Sequence, residues 1–83
     1  MYIILELEIK LEVSQSAIEY VDEDVFGPYN KQECSDKIHE IVDKTIARGY
    51  FTEVKRRSDN RVILSNGGSA TRMFIVKEVN KLK

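Results

Sequence analysis

Ile3-Ile4-Leu5-Glu6-Leu7-Glu8-Ile9-Lys10-Leu11-Glu12-Val13 is the stretch on which the fold of this chain turns. Every odd position is apolar, whereas the even positions run Ile4, Glu6, Glu8, Lys10 and Glu12. Successive side chains of a strand point to opposite faces, so the pattern predicts a strand with one apolar and one largely charged face. A helix would scatter the same residues around its circumference. The expectation is that the odd face packs on the core and that the rest of the chain covers it.

Eighty-three residues suffice for one small domain, 1–83, and no repeat, linker or low-complexity tract divides them. A chain of this length buries about 60–65% of the surface it exposes when unfolded. That leaves room for a thin core and none for a deep, enclosed active site. No apolar run approaches the roughly 20 residues of a membrane-spanning helix. The N-terminal stretch carries a charge at almost every second position from Glu6, which does not suit a signal peptide. The single cysteine, Cys34, has no internal disulfide partner, so a reducing, cytoplasmic setting is expected.

The net charge of −1 conceals an uneven distribution. Residues 1–30 hold seven acids and one base, residues 31–49 four of each, and residues 50–83 three acids and eight bases. The simplest use of this asymmetry is cross-strand pairing, with Glu6, Glu8 and Glu12 facing basic residues of a later strand. The alternative is a dipolar surface offering an acidic and a basic patch to partners.

After Val13 the alternation breaks. In 14–27, Ile18 and Tyr20 fit a short strand, whereas Ser16 with Glu19 fits a capping box opening a helical turn. Asp22-Glu23-Asp24 reads as a solvated loop, since it lacks the spaced ligands and glycine of a calcium loop. Gly27-Pro28 reads as a turn. Asn30 then caps a helix, with Glu33 completing the capping box and Tyr29 and Cys34 at the staple positions. The helix is expected over about 31–48, with Gly49 as its C-terminal stop. Cys34, Ile38, Ile41, Val42, Thr45 and Ile46 form one apolar stripe at helical spacing. Tyr50–Arg57 and Arg61–Ser65, joined by Ser58-Asp59-Asn60, read as a hairpin. Asn66-Gly67-Gly68-Ser69 is a second turn, and Thr71–Val79 is a last strand suited to a central or covered position.

The expected architecture is α+β: a four-stranded, mainly antiparallel sheet in the order β-α-β-β-β, with the long helix on one face. One helix covers one face, so apolar groups should remain on the other. Tyr2, Ile4, Ile63 and Phe74 with Val76, or their neighbours Met73 and Ile75, are the candidates.

The residues offer no catalytic, cofactor-binding or metal-binding constellation. His39 has no second ligand at metal spacing. Cys34 lies on the buried stripe, where a small apolar side chain suits packing better than nucleophilic chemistry. Gly67-Gly68 lacks the lysine and hydroxyl of a phosphate loop. Lys55-Arg56-Arg57, with Arg61 across the turn and Arg72 further on, is the densest basic group. Beside Tyr50 and Phe51 it suggests contact with phosphates and bases, although a pI near 5.8 is far from the strongly basic character of most nucleic-acid binders.

Val25-Phe26-Gly27-Pro28-Tyr29-Asn30, the amphipathic helix and the Gly49-Tyr50 exit together resemble the strand–turn–helix half of peptidoglycan-binding SPOR domains. The resemblance covers about thirty residues, and the second helix of that family has no counterpart. The same residues equally resemble a pattern of small bacteriophage proteins.

The functional expectation is a non-catalytic protein-binding module. It would be a homodimer or an inhibitor or interaction protein of the phage or mobile-element type, acting through an exposed sheet face or strand edge. Tyr2 and Ile4 are its expected contact residues. The alternative is nucleic-acid binding through Lys55, Arg56, Arg57, Arg61 and Arg72. No cofactor and no membrane partner is expected.

Overall fold

A computed structural model describes residues 1–12, 17–68 and 70–79; for 11, 12 and 17–23 the description is of the backbone. The elements are β1 (Tyr2–Glu12), β2 (Ala17–Tyr29), α1 (Lys31–Ala47), β3 (Glu53–Arg57), β4 (Arg61–Ser65) and β5 (Ala70–Glu78). The α+β class, the antiparallel sheet and the single long helix agree with the sequence. The strand count and order do not: five strands run β-β-α-β-β-β, with spatial order β2-β1-β5-β4-β3.

The additional strand is β2, which folds back antiparallel along β1. Asp22-Glu23-Asp24, read above as a loop, lies inside it, and so does the Ile18–Tyr20 segment. The Gly27-Pro28 turn is corrected likewise. Tyr2 pairs with Tyr29 and Ile4 with Phe26, so Gly27 and Pro28 together oppose Ile3 as a bulge. Gly27 has φ +126°, and the peptide bond to Pro28 is cis. A Cβ at Gly27 would stand 3.0 Å from the Tyr2 carbonyl oxygen, so both φ and space call for glycine. Because β2 is an edge strand, a proline there costs no ladder bond to an outer neighbour.

The start of α1 follows its local chemistry. The Asn30 side chain accepts from the Glu33 N–H at 2.8 Å, and Glu33 Oε1 accepts from the Asn30 N–H at 3.0 Å. These two bonds form the capping box. At the other end, Gly49 at φ +84° lets the chain leave the helix, its N–H donating to the Ile46 carbonyl at 3.0 Å. Cys34, Ile38, Val42 and Thr45 form the buried face. The Thr45 hydroxyl is satisfied by donating to the Ile41 carbonyl at 2.9 Å.

The helix carries the chain from one edge of the sheet, β2, to the other, β3, so it must cross a face of the sheet. It crosses the even face. Ile4, Val62, Leu64, Ala70 and Phe74 are fully buried there against Ile38 and Val42. At about 1.5–3 kcal/mol per buried aliphatic or aromatic side chain, this contact supplies the dominant favourable term. The expectation that the odd face of β1 would be covered is therefore overturned. Ile4, expected to lack cover, is at the centre of the core, and Tyr2 packs against its margin.

β5 is the central strand, flanked by β1 and β4. It pairs Glu8 with Arg72, Glu6 with Phe74, Leu5 with Ile75 and Leu7 with Met73. These pairs put Glu6, Glu8 and Arg72 on the same side as the core and Leu5, Leu7, Met73 and Ile75 on the opposite side.

Candidate functional site

The side of the sheet that α1 leaves open carries a broad, partly exposed apolar surface. Its side chains stand in register rows across the strands. One row runs Leu7–Met73–Ile63–Arg56 from β1 to the β3 edge. The next runs Val25–Leu5–Ile75–Arg61. Ile3 and Ile9 extend the apolar area along β1. Ile3, Leu5, Leu7, Ile9, Ile63, Met73 and Ile75 are all half-buried, and Val25 is 59% exposed. Their partial burial comes from neighbours in the sheet, since every described element outside the sheet lies on its other side or at its edges. The molecule is accordingly thin, with its smallest extent 17 Å.

The face that α1 covers contains charge. Arg72 Nη1 donates to Glu6 Oε2 at 2.6 Å, and Arg72 Nη2 donates to Glu8 Oε1. Side-chain exposure is only 10–14% for the three. The Arg72 guanidinium carbon lies 5.3 Å from the centre of the Phe51 ring. Phe51 is itself buried and meets Tyr50 edge-on at 4.9 Å. Cross-strand pairing is thus what the acids of β1 do: Glu6 and Glu8 share one guanidinium on β5. The side chain of Glu12 lies outside the described residues.

The basic group singled out in the sequence is dispersed by the fold. Arg72 is under the helix, between two carboxylates. Arg57 crosses to α1, where its Nη2 donates to Asp43 at 2.8 Å and its Nε donates to His39 Nδ1 at 3.2 Å. Accepting at Nδ1, His39 carries its proton on Nε2, which donates to Asp59 at 2.9 Å. Lys55 pairs with Glu53 at 2.7 Å. Arg56 and Arg61 remain exposed and make no ion pair with a described residue. They stand at the β3 end of the two open-face rows.

Two clefts lie at the helix. One, of about 710 Å³, is bordered by Tyr2, Cys34, Ser35, Asn60 and Val76. Burial pushes the Cys34 thiol above its usual range, the reverse of what a nucleophile needs. The other, of about 440 Å³, opens between α1 and β2, with Glu6 and Arg72 at its base and Phe26, Lys37 and Lys44 on its walls. On its rim Lys37 and Glu40 pair at 2.6 Å. Each stabilises the other's charged form through that hydrogen bond, raising the lysine pKa and lowering the glutamate one. This is a solvated surface pair of helix neighbours.

Ile63 was named in the sequence as uncovered, and Met73 with Ile75 only as one of two parities. Leu5, Leu7 and Ile9 were not, because the odd pattern of β1 points to burial. The signal that would have found them is the parity of Arg72. Placed opposite Glu6 and Glu8, it puts Phe74 on the charged side of β1 and Met73 and Ile75 on the apolar side.

Among the described residues the arrangement is a two-layer α+β one: an antiparallel sheet, a helix across one face and an apolar opposite face that no other described element covers. No family model, curated protein or solved structure matches the chain. No described helix is long and apolar enough to cross a membrane.

Proposed function

We propose that this chain is a non-catalytic protein-binding module whose contact surface is the open face of its sheet. The observation that carries this reading is the pair of register rows centred on Leu7–Met73–Ile63 and Leu5–Ile75, which no other described element covers. Apolar patches of this kind, rimmed by charge, mark surfaces that meet another macromolecule. Binding here withdraws aliphatic side chains from water, while Arg56 and Arg61 at the rim orient the partner.

Nucleic-acid binding has less support. Of the five basic residues proposed for it, Arg72 and Arg57 are engaged with acids of the same chain and Lys55 pairs with Glu53, which leaves Arg56 and Arg61. Two phosphate contacts supply little affinity at physiological salt.

A photo-activated crosslinker placed at Leu7 or Ile75 in living cells tests the reading. Protein adducts are expected from both positions and none from Glu33, on the exposed side of α1. Absence of protein adducts from the open face contradicts it. A salt-dependent mobility shift with nucleic acid that disappears in Arg56→Glu/Arg61→Glu would instead establish the nucleic-acid reading.

A further inference from the structure

We infer that the open face receives an amphipathic α-helix of a different protein, apolar towards the sheet and acidic along the flank that meets β4 and β3. The inference rests on the protein-binding reading and states the chemistry of the partner.

Charge is the first argument. Arg56, Arg61 and Lys77 are exposed on this face. The register places them there: Arg56 pairs with Ile63, Arg61 with Ile75, and Lys77 with Ile3. None of the three makes an ion pair with a described residue. Among the described side chains the acid on this face is Glu53, opposite Ser65, and Lys55 already holds it at 2.7 Å. The face is therefore cationic along one side of an aliphatic centre. A second copy would set the same cations against these and bring no spare acid among its described side chains, so self-association meets like charge. A partner with carboxylates on that side meets opposite charge. The aliphatic centre requires an apolar counterpart as well, which a phosphate backbone does not offer.

Dimensions favour a helix. The apolar area spans β1, β5 and β4, about 10 Å between the outer two strands. A helix with its side chains is ~10–12 Å across. A second sheet would be wider, and would lay apolar side chains on Arg61 and Arg56. From Ile3 to Ile9 the strand rises about 20 Å at ~3.4 Å per residue, the length of roughly fourteen helical residues at ~1.5 Å each. The opposite face of the same strands already holds such an element: α1, of 17 residues, packs there on Ile4, Val62, Leu64 and Phe74. A helix on the open face would complete a three-layer arrangement.

Laid along β5, the helix sets its apolar stripe on Leu5, Leu7, Met73, Ile75 and Ile63. One flank then passes beside Arg61 and Arg56. These two stand in neighbouring rows, about 7 Å apart along the strand direction. One helical turn rises ~5.4 Å, so acids one turn apart on that flank reach both guanidinium groups.

Selection from a displayed library of random peptides of about sixteen residues, long enough for the helix, tests the inference with the purified full chain as bait. Peptides retained by the wild type and rejected by Ile75→Lys should carry apolar residues at helical spacing and acids along one flank. Their circular dichroism should become helical on binding. Arg56→Glu/Arg61→Glu, both at exposed positions, should weaken them on the order of tenfold. The same charge-reversed chain should itself select peptides with a basic flank. Should Ile75→Lys fail to fold, the charge exchange and its reversed selection still decide the matter. A selection without binders, binders without acids, or equal affinity for the charge-reversed chain overturns the inference. So does binding of the chain to vesicles of anionic phospholipid in place of peptide. Mapping the adduct of the Ile75 crosslinker separates this inference from the reading beneath it. An adduct on a second copy, or on a non-acidic segment of another protein, overturns the acidic helix and leaves the protein-binding reading intact. No protein adduct overturns both.

Discussion

The two faces of the sheet divide labour against their composition. On β1 the charged side, with Glu6 and Glu8, lies under the helix, and the wholly apolar side, with Leu5 and Leu7, faces outward. Hydrophobicity of one strand therefore does not choose the buried face. The choice is made by the sheet as a whole and by the path of the connection. Val62, Leu64, Ala70, Phe74 and Ile4 provide an apolar even face across three strands, and Arg72 neutralises the two acids that share it. The cost of putting charges out of water is offset locally, and the apolar face of β1 is left for an external contact.

The largest expected effect breaks that neutralisation. Arg72→Met strands two buried carboxylates, and removal of one member of a buried ionic group costs about 3–5 kcal/mol. Urea unfolding should show a loss of that size. Converting Glu6, Glu8 and Arg72 together to Leu, Leu and Met should restore most of it, since apolar replacement of a whole buried ionic group is often neutral or stabilising. Failure of the triple replacement to outperform Arg72→Met would mean the carboxylates carry no buried charge penalty.

Next comes the contrast between adjacent residues of β5. Phe74→Ala opens the core and should cost about 3–5 kcal/mol. Ile75→Ala, on the open face, should cost about 1 kcal/mol or less in dilute protein. Unfolding curves at one low concentration read both. Equal losses would show that the open face is as enclosed as the core.

The smallest effect is a pH dependence on the covered side. Burial raises the Cys34 pKa above its ordinary value of 9.0, so the unfolded chain releases the thiol proton first. The associated stability is full below that value and is lost as pH rises through the folded one. Denaturant midpoints should fall on the alkaline side of 9.0, and less steeply in Cys34→Ala. Identical alkaline slopes would place the thiol in water.

Much of this fold was legible along the chain and little of it across the chain. Local signals located β1, the Asn30–Glu33 start of α1, the Gly49 stop, the β3–β4 hairpin and β5, the last as either a central or a covered strand. β2 was hidden because Asp22, Glu23 and Asp24 are poor strand formers whose pairing with β1 decides their conformation, and because Gly27-Pro28 marks a bulge as readily as a turn. The face was hidden for another reason. Val62-Ile63-Leu64 and Met73-Phe74-Ile75-Val76 are apolar at both parities, so they do not favour either side. β1 alone favours the odd face, and only the register of Arg72 against Glu8 reverses it.

Labelling of single cysteines tests the division of faces most directly. In a Cys34→Ala background, Ile4→Cys and Phe74→Cys are compared with Leu5→Cys and Ile75→Cys in the native, dilute protein. Positions 5 and 75 should react rapidly, while positions 4 and 74 react only at the rate of unfolding. Rapid labelling at 4 and 74 with protection at 5 and 75 in dilute protein would contradict the account.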